Sequence, residues 1–308
     1  MLKTLILGTL GLDDIETPAG KVFKVQGGSC SYGSVSTSYF TEVGIVGVVG
    51  EDYPDEHKDV LSAHHVDLTG LQTIKGGKTF AWGGRYVGDM NSAETMFTEL
   101  GVFESFQPQI PESLRETPYL LLCNFDPSQQ FNALKQMEKP KLSILDTMNL
   151  WINLRIDALH QVLKEVDVIV LNEGEVRMLC KTDQMQKAGQ MLLNLGLKRV
   201  LIKKGEHGCL MFSRTGDYFV APSFPLLSVK DPTGAGDTFA GGLIGHLASV
   251  NAAIDDDEEW RRAVIYGTAM ASFTCEGFSL SVLAQLSREK IDNRYNMIRK
   301  IASIPELA

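Results

Sequence analysis

Asp231-Pro232-Thr233-Gly234-Ala235-Gly236-Asp237-Thr238-Phe239-Ala240-Gly241-Gly242 is the most informative stretch of this 308-residue chain. Pro232 ends whatever precedes it, and Gly234 and Gly236 permit backbone angles closed to other residues. A helical pattern then runs from about Asp237 to Val250. A glycine turn that opens a helix directs several unpaired N–H groups, and the positive end of the helix dipole, at one place. That is an anion hole suited to phosphate oxygens. No Gly-Lys-[Ser/Thr] follows, so the stretch is not a Walker A loop, and it does not match G-x-G-x-x-G after a strand. Asp237 sits inside the hole, where a carboxylate repels incoming phosphate unless it has chemical work. Accepting the proton of a hydroxyl that attacks a phosphate is such work. The plainer alternative is a capping Asp at a helix N-terminus, worth about 1 kcal/mol; the length of the whole stretch favours the chemical role.

Outward from this point, short apolar runs alternate with helical patterns. Leu5–Leu10, Val43–Val49, Tyr119–Cys123, Leu142–Leu145, Val166–Leu171 and Val200–Ile202 read as buried strands rich in Val, Ile and Leu. Pro127–Glu138, Leu154–Leu163 and Gln184–Leu195 carry the three- and four-residue spacing of crossover helices. The expected fold is α/β with three layers, a mostly parallel central sheet with helices on both faces. Ligands in such sheets sit beyond the carboxyl ends of the strands. Asp13, Asn124, Asp126, Asp146, Asn149, Asn172 and Glu175 all fall there. Asp13–Val25 and Lys78–Val87 break the alternation and suit a small β lid, or else a surface hairpin packed on the core. The expected division is a core of residues 1–12, 26–77 and 106–308 with a discontinuous lid of 13–25 and 78–105. Pairing of the lid segments between two copies would build a homodimer.

Composition narrows the partners. Against 29 Lys and Arg stand 38 Asp and Glu, a net charge of −9, with no basic block. A nucleic-acid or anionic-membrane partner is therefore not expected. The apolar run near Val43–Val49 falls far short of the ~20 residues of a membrane span. The opening Met1-Leu2-Lys3 and Leu5–Leu12 imitate a signal peptide but run into Asp13-Asp14 without a small-residue cleavage site, so a buried first strand is expected. Five scattered cysteines with no C-x-x-C imply neither a disulfide framework nor a zinc site, and fit a reducing cytoplasm. The charge run Asp255–Glu259 reads as a solvated loop and helix start. A dehydrogenase is disfavoured because the Gly8–Gly11 spacing lacks the dinucleotide fingerprint.

The ordered set of motifs resembles the ribokinase-like (PfkB) family of carbohydrate and nucleoside kinases. Asp231–Gly242 is similar to its C-terminal signature, and Gly27-Gly28 to its N-terminal Gly-Gly. Val46–Asp52 resembles the strand-loop that follows, Asn172-Glu173-Gly174-Glu175 its N-x-x-E, and Gly205-Glu206-His207-Gly208 its G-x-x-G. The resemblance implies a kinase that moves the γ-phosphate of ATP to an alcohol of a sugar or nucleoside. Asp237 would be the catalytic base, with the Gly234, Ala235 and Gly236 amides holding the developing charge. Asn172 and Glu175 would organise Mg²⁺ and phosphates, Glu175 through metal-bound water. Lys203, Gly205, Gly208 and Thr268 would approach the nucleotide, although a helix-start carboxylate at Glu175 and a solvated strand-end lysine at Lys203 are alternatives. Asp231 and Thr233 resemble positions that help bind a monovalent cation such as K⁺, and Asp231 also suits a turn-fixing role. Asp13, Gly27 and Gly28 match the sugar-contacting positions, with Arg85 on the lid and Asn149 as further acceptor candidates and Trp151 weaker still; a strand-end Asx turn at Asp13 and a surface arginine at Arg85 are the alternatives. A non-catalytic nucleotide or sugar sensor on the same fold is the competing reading. Three places depart from the family pattern: Tyr32 where Asn is usual, Thr268 where Asn is common, and Glu276-Gly277 in place of Gly-Ala.

Overall fold

Alternation along each apolar run sorts its side chains onto the two faces of one sheet. The computed structural model describes residues 2–88 and 90–303. Its strands are β1 (Thr4–Leu7), β2 (Gly11–Thr17), β3 (Gly20–Gly27), β4 (Val43–Gly50), β5 (Asp67–Ile74), β6 (Phe80–Tyr86), β7 (Ala93–Glu99), β8 (Tyr119–Leu122), β9 (Leu142–Asp146), β10 (Val168–Asn172), β11 (Arg199–Lys203), β12 (Cys209–Ser213) and β13 (Tyr218–Ala221). The helices are α1 (Ser29–Ser38), α2 (Asp55–Ala63), α3 (Pro127–Gln136), α4 (Asn149–Leu154), α5 (Ile156–Leu163), α6 (Glu173–Cys180), α7 (Met185–Asn194), α8 (Ala235–Ser249), α9 (Asp257–Thr274) and α10 (Arg288–Ile301).

Nine strands form the main sheet in the order β13-β12-β11-β10-β9-β8-β1-β4-β5. All neighbours from β11 to β5 pair in parallel, and β12 and β13 extend the sheet antiparallel at one edge. On β1, Ile6 faces a core shared with α1, α8, α9 and α10, while Leu5 and Leu7 face a second core shared with α3, α5, α6 and α7. Helices therefore cover both faces, and the fold is the three-layer α/β arrangement.

A second sheet of four strands, β3-β2-β6-β7, stands beside it. The first strand stops at Leu7 rather than Leu10, so Asp13 lies within the small sheet and not at the end of a main-sheet strand. Helix α1 explains why no amphipathic period announces it. Its Ser-rich run is buried almost throughout, wedged between the sheet and α8. The Ser36 and Thr37 hydroxyls donate to the Thr238 and Gly241 carbonyls across that contact, at 2.8 and 2.9 Å. A Cβ on Gly241 would lie 2.3 Å from the Gly33 carbonyl oxygen, so the two helices touch backbone to backbone. This close approach fixes the start of α8 over the carboxyl ends of the parallel strands. No helix among the described residues is long and apolar enough to cross a membrane.

Candidate active site

Because β9, β10 and β11 are adjacent and parallel, their last residues, Asp146, Asn172 and Lys203, emerge side by side. The Lys203 ammonium lies 3.4 and 3.5 Å from the two Asp146 carboxylate oxygens. It also rests against the start of α8, since a Cβ on Gly236 would meet its Nζ at 2.9 Å. Burial alone would lower the Lys203 ammonium, but Asp146, Glu175 and Asp237 together hold it above its ordinary value. Burial raises Asp146, against the pull of Lys203 and of the Thr147 amide.

Asn172 and Glu175 form a reciprocal capping box at the start of α6. The Glu175 amide donates to Asn172 Oδ1 at 2.8 Å, and the Asn172 amide to Glu175 Oε2 at 2.7 Å. The helix-start role thus accounts for one Glu175 oxygen. Its other oxygen makes no hydrogen bond among the described residues, and burial, with Asp146 and Asp237 nearby and Lys203 opposing, pushes the carboxyl up to about 7.

Gly234 caps α8 at φ 75, a left-handed conformation that glycine reaches without strain. The turn leaves the Gly234 and Gly236 amides without a protein acceptor among the described residues, whereas the Ala235 amide donates to the Pro232 carbonyl at 3.1 Å. The Ala235 amide, one of the three expected donors, is thus engaged within the turn. Asp237 follows in the first turn. Burial and the Asp146 charge push its carboxyl up to about 7, against Lys203 and its own amide.

On the side of the small sheet, Asp13 is buried with its carboxylate laid over Gly27. A Cβ on Gly27 would fall 2.0 Å from Asp13 Oδ2, and one on Gly28 (φ 90) 2.4 Å from the Thr9 carbonyl oxygen. Burial and the charges of Asp231, Asp237 and Asp14 push Asp13 up to about 8, despite a bond from the Gly28 amide. Asp231 is fully buried and takes the Thr233 amide at 2.9 Å and the Ser279 amide at 3.4 Å, so it does fix the turn. The Thr233 hydroxyl donates to the Tyr86 hydroxyl at 3.2 Å, tying β6 of the small sheet to the glycine turn. Tyr32 lies in the same place. Its ring presses on Gly234, within 2.5 Å of where a Cβ would stand, and its buried hydroxyl has no partner among the described residues.

Several expected residues lie elsewhere or are otherwise engaged. Arg85 alternates onto the opposite face of β6 from Tyr86, is exposed, and pairs with Glu16 at 3.1 Å. Asn149 is exposed in the first turn of α4. The Trp151 indole donates to Asn124 Oδ1 at 2.8 Å. Thr268 is buried and donates its hydroxyl to the Val264 carbonyl one turn back in α9. Gly205 (φ 54) and Gly208 (φ 87) bend the β11–β12 connection, where a Cβ on Gly208 would fall 1.9 Å from the Ala221 carbonyl oxygen. Conversely, Asp146 and Tyr86 belong to the site although no motif marked them. Asp146 was legible only as one of several polar strand ends.

The chain is matched over residues 121–284 by the model of the pfkB family of carbohydrate kinases. A cytidine kinase of Thermococcus kodakarensis is 27% identical over 250 residues, covering 79% of this chain and 88% of that protein. A putative ribokinase II of E. coli, solved in complex with ATP and Mg²⁺, superposes with a TM-score of 0.78 at 19% identity, over 96% of this chain and all of that one. A double mutant of Vibrio cholerae O395 fructokinase, in a form binding fructose, ADP and a potassium ion, gives 0.79 at 18% identity over 96% and 98% of the two chains. With more than half its length matched by that model, the chain belongs to the pfkB family of carbohydrate kinases.

Proposed function

We propose that this kinase transfers the γ-phosphate of ATP to an alcohol group of a sugar or nucleoside, with Asp237 as general base. The observation that carries the reading is Asp237 itself: a carboxylate held near neutrality in the first turn of α8, beside the unpaired Gly234 and Gly236 amides. A base whose pKa lies near the working pH combines ionised form and proton affinity. The two amides suit the oxygens of a phosphoryl group in transfer, where charge spreads over the equatorial positions. Lys203, against Gly236, is placed to meet phosphate as well as Asp146. A non-catalytic sensor has no use for such a carboxylate.

The residues fit Mg²⁺ held indirectly. Asp146, Glu175 and Asp237 share a single ammonium, which leaves net negative charge in a buried place. No group of three or more acidic, His or Cys side chains among the described residues could hold a metal directly. Asn172 and Glu175 would hold it through water, as magnesium tolerates. When bound, Mg²⁺ neutralises phosphate charge. Asp231, buried with amide partners and no ion-pairing lysine or arginine among the described residues, fits a monovalent cation such as K⁺. Asp13, over Gly27, suits a pair of acceptor hydroxyls, and the small sheet would act as a lid that excludes water.

Asp237→Asn is expected to cut kcat about 10²–10⁴-fold while nucleotide affinity, measured by calorimetry, changes little. Near-normal turnover by this variant would remove the assignment.

A further inference from the structure

Trp82, Gly84 and Tyr86 share one face of β6 by two-residue alternation. It is the face turned to the site, because Tyr86 reaches Thr233 from it, whereas Arg85 points the other way to Glu16. In the parallel β2–β6 register Trp82 stands beside Asp13, and Gly84 beside Ile15. A Cβ on Gly84 would lie 2.0 Å from Trp82 Cη2, 2.4 Å from Cζ2 and 2.7 Å from Cζ3. The indole therefore lies down along the sheet with its six-membered ring over Gly84, which any larger residue would prevent.

The other two tryptophans are engaged. The Trp151 indole donates to Asn124, and that of Trp260 to the Ala253 carbonyl at 3.1 Å, with the Arg199 guanidinium 4.8 Å from the Trp260 ring. Trp82 is only partly buried, and among the described residues it has no hydrogen bond and no ring or cation partner. A flat aromatic surface laid next to the carboxylate suited to a diol, and left partly exposed, matches a ligand in which a planar heterocycle is joined to a polyhydroxy ring.

We propose that Trp82 is a platform for a nucleobase, and that the phosphate acceptor is a nucleoside whose sugar diol is taken by Asp13. This rests on the reading of Asp237 as the base. Flat aromatic surfaces bind bases of any identity, so the platform selects the class and not one base.

The test measures kcat and KM for a purine nucleoside, a pyrimidine nucleoside, D-ribose and D-fructose with wild type, Trp82→Ala, Trp82→Phe and Asp237→Asn. Expected is a preference of wild type for nucleosides over ribose. Trp82→Ala should raise nucleoside KM about 5–150-fold, the fold-change equivalent of 1–3 kcal/mol at 1.4 kcal/mol per decade. Its kcat and its KM for ribose should change less than about threefold, and Trp82→Phe should recover part of the loss. Turnover of free sugar but not nucleoside, or an equal KM rise for both, overturns the proposal. If Trp82→Ala does not fold, nucleoside quenching of tryptophan fluorescence decides: it should vanish in Trp82→Phe, and persistence overturns the platform. Asp237→Asn keeps the two readings apart. Its inactivity toward whichever acceptor wild type uses leaves the base standing even where the nucleoside fails, and its activity removes the base whatever the acceptor.

Discussion

At the ends of β9, β10 and β11, Asp146, Glu175 and Asp237 gather around the Lys203 ammonium. Beside the small sheet, Asp13 and Asp231 are buried just as deeply, yet no lysine or arginine pairs with either among the described residues, and Tyr32 adds a hydroxyl without a partner. The first region carries part of its own counter-charge, one ammonium against three carboxyl groups, before any ligand arrives. The second has no such cation among the described residues: its carboxyl groups are held by backbone amides, from Thr233 and Ser279 on Asp231 and from Gly28 on Asp13. Burying carboxyl groups without a cation is costly, and a ligand rich in hydroxyls would add hydrogen bonds there.

The strongest way to break this contrast is to remove the cation from the first region. Lys203→Met should cost about 3–5 kcal/mol of stability at pH 8, as expected when one partner of a buried pair is lost. The loss should shrink at pH 5, where Glu175 and Asp237, both about 7, are protonated and need no counter-ion. In wild type, kcat/KM should rise with pH through about 7 as Asp237 ionises. Without Lys203, whose charge lowers Asp237, that limb should move to higher pH; an unmoved limb would mean that the ammonium does not reach the base.

A smaller effect is expected on the other side. Asp13→Asn should raise acceptor KM about 10–150-fold, from the loss of a charged hydrogen bond worth about 1.5–3 kcal/mol. The same variant should flatten the pH dependence of stability. Asp13 binds a proton up to about 8 when folded against an ordinary 3.8, so between those values the folded chain holds more protons and stability falls as pH rises. The asparagine variant lacks this loss, and its melting temperature should exceed that of wild type by more at pH 8 than at pH 5. The smallest effect belongs to Tyr32→Phe, which removes an unsatisfied buried hydroxyl while keeping the ring against Gly234. A gain of about 1 kcal/mol in thermal unfolding is expected; a comparable loss would show that the hydroxyl has a partner in solution.

Much of the frame was legible because strands buried on both faces read as unbroken Val, Ile and Leu runs, as Val43–Gly50 does. Helix α1 and the polar edge strand β7 carry no such signal: one is small-residue packing, the other is largely exposed. The glycine turn before α8 was legible as a cluster of helix-start amides, but which of them remain free depends on the bond from Ala235 to Pro232, a detail of turn geometry. Arg85 could be read either as a lid residue or as a surface arginine, because the face it takes depends on strand parity and one step along β6 reverses it. Asp146 gained its importance from sheet order. Only the adjacency of β9, β10 and β11 brings it to Lys203, and strand order is not written in local sequence.

The fit of Asp13 into the space where Gly27 lacks a side chain has a consequence for how this protein can change. The carboxylate occupies the volume a Cβ would need, so even alanine at position 27 must evict it, and neither position can drift alone without disturbing the other. Any lineage or library that enlarges residue 27 must first shorten residue 13, and on the proposed role of Asp13 the intermediate would have lost its grip on the old acceptor. Altered specificity here is reached by paired substitution, and single-site scans will under-report what this pocket can become.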